Sequence, residues 1–116
     1  MAITFTTDKL QGLPSAVAGV YGRIQSVMVK KYDATSDPDV AVQWRCLYDV
    51  VLHASAAVRN AAGEYPGWGN RLRSREIDHF TCAYDPTSNS NPYAQAYADL
   101  KSRLASGSLA SSIADA

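Results

Sequence analysis

The sequence predicts an all-α fold, a small antiparallel bundle of three main helices, and three observations point to it. Apolar residues recur at intervals of three and four over long stretches, Pro14, Pro38 and Pro92 stand where helices would begin, and Gly63 and Gly107 stand where they would end. A short extended arm over 1–12, an irregular excursion over 63–91 and a tail over 106–116 complete a single helical domain covering 1–116. The chain's 116 residues are 47% apolar and 19% charged, enough to bury one core without metal or disulfide support.

Each element has its own signal. Residues 2–6, AITFT, alternate in character and read as an extended arm or a single edge strand. The first helix follows Leu13-Pro14 and runs to about Tyr32, with Val17, Val20, Tyr21, Ile24, Val27 and Met28 on one face. Beside that face lie Ser15, Ala18, Gly19, Gly22 and Ser26, small residues that suit close approach by another helix of the chain or by a second subunit. The second helix runs from Pro38, with Asp37 as its N-cap, to about Ala62. Val40, Trp44, Leu47, Tyr48, Val51 and Val58 form one stripe of it and Val42, Cys46, Val50, Ala54, Ala57 and Ala61 another, so it reads as the central helix, stopped by Gly63 and Pro66. Residues 71–82 have the pattern for two or three helical turns with Leu72, Ile77 and Phe80 inward. A third helix spans about Pro92 to Ala105, burying Tyr93, Ala96, Tyr97, Leu100 and Leu104 on one stripe, and Leu109 and Ile113 are the residues that would dock the tail.

Charge and composition narrow the function classes. Eleven Lys and Arg balance eleven Asp and Glu, which removes any global attraction for nucleic acid or an anionic membrane. No stretch approaches the roughly 20 apolar residues of a membrane span. The opening MAITFTTDKL lacks the basic flank and apolar run of a secretory signal, so a cytoplasmic protein with reduced Cys46 and Cys82 is expected, a disulfide between them arising only on export.

Candidate chemistry is sparse. Asp49, His53 and Cys46 stand four and seven residues apart, a spacing that would place an oriented imidazole near a thiol on one helix side, and His53 or His79 is where a small enzyme would be built. Glu76, Asp78, His79, Cys82 and Asp85 crowd ten residues without a diagnostic metal spacing, and GWGNRL has neither the lysine nor the glycine spacing of a phosphate loop. No catalytic residue, metal ligand or cofactor is assigned. The strongest local signal is EYPGWGNRLRSR, where Tyr65 and Trp68 precede Arg71, Arg73 and Arg75. Three readings stay open: aromatics folded back as a lid with the arginines paired to nearby acids, a protein interface anchored by Trp, Tyr and Arg, or a weak nucleic-acid contact in which the arginines meet phosphates.

The expected function is a non-enzymatic protein–protein interaction or assembly module, self-associating or docked onto a larger complex, through Tyr65, Trp68, Arg71, Arg73 and Arg75. Weak nucleic-acid binding by the three arginines is the alternative. A small neutral domain with an extended arm and an Ala/Ser tail resembles, in general build and without a motif match, phage-encoded assembly components and host-inhibiting proteins.

Overall fold

The computed structural model describes residues 2–13, 15–32, 43–55, 57 and 71–116. These residues form a five-stranded antiparallel sheet with one helix, which overturns the predicted three-helix, all-α bundle. In chain order the elements are β1 (Ile3–Thr7), β2 (Val17–Tyr32), β3 (Gln43–His53), β4 (His79–Ala83), α1 (Pro92–Ser106) and β5 (Ser111–Asp115), and the strands lie side by side as β4-β3-β2-β1-β5. The first four form a meander; α1 then carries the chain from the β4 edge across one face to the β1 edge, where β5 pairs antiparallel with β1.

The first predicted helix is β2, and the reason its spacing looks helical is specific. Between Phe5 and Thr7 the register with β1 shifts, Phe5 facing Val20 and Thr7 facing Val17, so β2 holds an extra residue there; Gly19 sits in it at φ 69°. Such a bulge needs a left-handed backbone that glycine adopts without strain. A second shift lies between Ile24, opposite Val50, and Ser26, opposite Asp49, with Gln25 as the extra residue. Strand alternation of two, interrupted by two bulges, puts Val17, Val20, Ile24 and Val27 on one sheet face at intervals of three, four and three.

The second predicted helix is β3 over its described part. Its alternation is hidden because Val50, Val51, Leu52 and His53 are all buried, so both faces of this end of the strand are covered. A doubly covered strand has the same continuous apolar run as a central helix. Trp44, expected in a buried stripe, is instead exposed near the other end of the strand, with Lys31 Nζ 5.9 Å from its ring centre. Residues 38–42 and 58–62 of that predicted helix lie outside the described residues.

The third helix is real. Asn91 caps α1 by accepting the Ala94 N–H at 2.8 Å, Pro92 opens the first turn, and Gly107 N–H donates to the Arg103 carbonyl at the other end. Its stripe of Ala96, Tyr97, Leu100 and Leu104 joins Ile3, Phe5, Val20, Ile24, Cys46, Tyr48 and Leu52 in one buried cluster. The N-terminal arm is β1, an interior strand between β2 and β5 rather than an edge, and the tail is β5, with Leu109 and Ile113 packed against the core.

Residues 71–78 are neither helix nor continuous strand. Leu72 N–H donates to the Leu52 carbonyl and Val50 N–H to the Asp78 carbonyl, so the chain touches β3 at both ends of a short outward loop. Ser74 Oγ accepts the Ile77 N–H inside that loop, and the Gln11 N–H reaches across to the Arg73 carbonyl. Ile77 is buried as expected, while Leu72 and Phe80 are partly so.

Candidate binding surfaces

β2 is much longer than its inner neighbour. Its 16 residues, at about 3.3 Å each, span about 50 Å, comparable with the longest molecular dimension of 49 Å. β1 pairs with it only as far as Gly22. Beyond that point β2 has β3 on one side, and among the described residues no strand pairs with it on the other.

Which backbone groups face that open side follows from the register. Tyr84 N–H donates to the Trp44 carbonyl, so the even-numbered residues of β3 in this region direct their backbone groups toward β4 and the odd-numbered ones toward β2. Arg45, Leu47 and Asp49 stand opposite Lys30, Met28 and Ser26, which therefore bond inward. The intervening Val27 and Val29 direct their N–H and C=O groups outward. At the inner limit of this stretch the Ile24 N–H is taken up by the Tyr97 hydroxyl of α1 at 2.9 Å.

The face turned away from α1 adds an apolar element to this edge. Met28 is 54% exposed, next to half-buried Leu47. Around them Ser26 Oγ donates to Asp49 Oδ2 at 2.6 Å, and Asp49 stands opposite His79 across β4. A shallow depression of about 260 Å³ joins these groups with Lys30 and Thr81.

The other face is fastened to α1 by a polar clamp. Tyr48 hydroxyl and Arg103 Nε both donate to Asp99 Oδ2, at 2.5 and 2.6 Å, Arg103 Nη2 reaches the Thr81 carbonyl, and its guanidinium lies 5.1 Å from the Phe80 ring centre. Cys46 and Cys82 are cross-strand partners, free and buried beneath the same helix.

These buried groups make the fold sensitive to alkali. Burial pushes the Cys82 thiol up to about 12 and also raises Cys46, Tyr97 and Tyr48, the last further through its bond to the Asp99 carboxylate. In the unfolded chain such thiols and phenols ionise near 9 and 10. The folded state therefore holds protons that the unfolded state releases, so the contribution to stability is intact below about pH 9 and is lost as pH rises toward 12. Urea midpoints measured from about pH 8 to about pH 11 should fall steadily above 9, and a flat profile would contradict the burial of these groups.

The residues singled out from sequence are placed unevenly. Tyr65, Trp68, Gly63 and Pro66 lie outside the described residues. Arg71, Arg73 and Arg75 all border one depression beside Gln11 and Asp78, but they do not form a uniform row. Arg71 Nη2 donates to Gln25 Oε1 at 2.9 Å, tying the second bulge of β2 to this loop, while Arg73 and Arg75 are exposed. The proposed enzyme grouping is dismantled, because Cys46 and His53, seven residues apart in a strand rather than two turns apart in a helix, project from opposite faces of β3. Cys82 and His79 likewise point to opposite sides of β4, and His79 Nδ1 bonds Asp78 Oδ2 at the surface. Sequence reasoning missed the outer edge of β2 altogether. The signal that would have found it is the run Val27-Met28-Val29-Lys30-Lys31, β-branched residues ending in charges, a composition common at strand edges.

Among the described residues no helix is long and apolar enough to cross a membrane. Comparison of the chain with protein-family models, with curated proteins and with solved structures finds no match.

Proposed function

We propose that this protein is a non-enzymatic assembly module that binds by strand addition along the outer half of β2. The observation that carries this reading is the backbone of Val27 and Val29, directed outward from a strand that continues well past β1. Exposed strand edges of this kind are templates for pairing, and main-chain hydrogen bonds then supply affinity while neighbouring side chains supply selectivity. Met28 supports it, since an exposed apolar side chain beside the edge gives an incoming strand something to cover. The balanced net charge and the engagement of Arg71 by Gln25 favour a protein partner over nucleic acid.

The test is a proline at the outward-facing position. Val29→Pro removes an N–H that β3 does not use, so the fold should persist with an unchanged far-ultraviolet spectrum. Light scattering across a concentration series, and capture by the immobilised chain from an extract of its own producing cells, should both weaken in the variant. Association or capture that is indifferent to Val29→Pro would place the binding surface elsewhere.

A further inference from the structure

We infer that the occupant of this edge is a second copy of the same chain, the two β2 strands pairing antiparallel about a two-fold axis at Met28. The inference rests on the strand-addition reading and adds the partner and the register.

Length selects the axis first. The part of β2 beyond β1 runs from Ile24 to Tyr32, and Met28 is its midpoint. A two-fold axis there sets the end of each β2, Tyr32, against Ile24 of the other, just short of the place where β1 begins to pair. Moving the axis to Val27 sets Tyr32 against Gly22, a position that Ile3 already holds.

Side-chain chemistry selects the same axis. With Met28 opposite its own copy, Val27 faces Val29 in both directions and Ser26 faces Lys30. Val27 and Val29 are the outward-directed residues, so each such pair exchanges both of its N–H···O=C bonds. On the face away from α1 the two exposed Met28 side chains cover one another. Lys30 of each copy arrives beside Ser26, whose hydroxyl is bonded to Asp49, bringing an ammonium toward a carboxylate across the seam. An axis at Lys30 would oppose like charges, which is destabilising for a directly facing pair. An axis at Val29 would set Met28 against Lys30 and Val27 against Lys31, leaving neither apolar residue with an apolar partner. The register at Met28 joins two five-stranded sheets into one continuous antiparallel sheet and satisfies both open edges in a closed, isologous contact.

Cysteine cross-linking reads the register directly. Directly opposed residues that do not exchange hydrogen bonds have Cα atoms about 4.5 Å apart, within disulfide reach. Met28→Cys should therefore give a covalent dimer under mild oxidation, about tenfold faster than Lys30→Cys, whose thiols stand opposite Ser26 rather than each other. Met28→Lys, at an exposed position, should keep the fold and weaken self-association by about tenfold or more by setting like charges face to face. Equal cross-linking by the two cysteine variants overturns the register, and so does a Met28→Lys chain that dimerises as well as the parent. A parent that stays at 12.5 kDa throughout a concentration series overturns the second copy as occupant. Capture of a different protein that is lost on Val29→Pro would then leave strand addition standing.

Discussion

Replacing Gly22 with valine should lower the unfolding free energy by about 3 kcal/mol, the upper part of the range for overpacking a core. Gly22 lies in β2 opposite Ile3, buried, with the Phe5 ring against it. A Cβ built at Gly22 would lie 2.9 Å from Phe5 Cε1 and 3.5 Å from Leu52 Cδ2. Phe5 is 1% exposed and has no free volume to retreat into. Alanine should cost less than valine, because one methyl demands a smaller shift of the ring. Gly22→Ala should cost less still in a Phe5→Leu background, the non-additivity expected of side chains in contact. Urea titration of the four chains measures this, and a Gly22→Val midpoint within error of the parent would show that the ring does not pack there.

Leu100→Ala should cost about 3 kcal/mol and lower Tm by about 10 °C. Leu100 is fully buried on the inward stripe of α1 within the common core, between Ala96 and Leu104. Its truncation leaves a void that the sheet cannot collapse into, because strands held by ladder hydrogen bonds move little. Tyr93, on the same helix but 45% exposed, is the matched comparison, and Tyr93→Ala should shift Tm far less. Equal shifts for the two would mean that α1 is turned about its axis relative to the packing described.

The two sites also mark how far the sequence could be read. Leu100 was legible because α1 obeys local rules throughout: Asn91 and Pro92 begin it, Gly107 ends it, and an uninterrupted period carries its apolar stripe. Gly22 was legible as a point of close approach but not as to what approaches. Small residues beside an apolar stripe suggested helix-on-helix contact or a second subunit, whereas the neighbour is Phe5 from a strand of the same chain. β2 was misread because its two bulges convert a period of two into intervals of three and four, and β3 because burial on both faces erases alternation. Neither effect is visible without knowing the partner strand, since a bulge is defined by the register across the ladder. The candidate surface was hidden for the same reason. Val27 and Val29 look like any buried pair of valines until β1 is seen to stop at Gly22.

The bulges at Gly19 and Gln25 have a consequence for how this chain tolerates changes of length. Each inverts the parity with which residues alternate between the helix-covered and the open face, and together they cancel, so that Val17 and Val27 share a face across an even count of residues. Losing a single residue at either bulge would turn the outer arm inside out, carrying Met28 and Lys30 beneath the helix side and Val27 and Val29 into the open. Losing one at each would restore the original sense in a shorter arm. Insertions and deletions here are thus admissible in compensating pairs, much as frameshifts are in a coding strand.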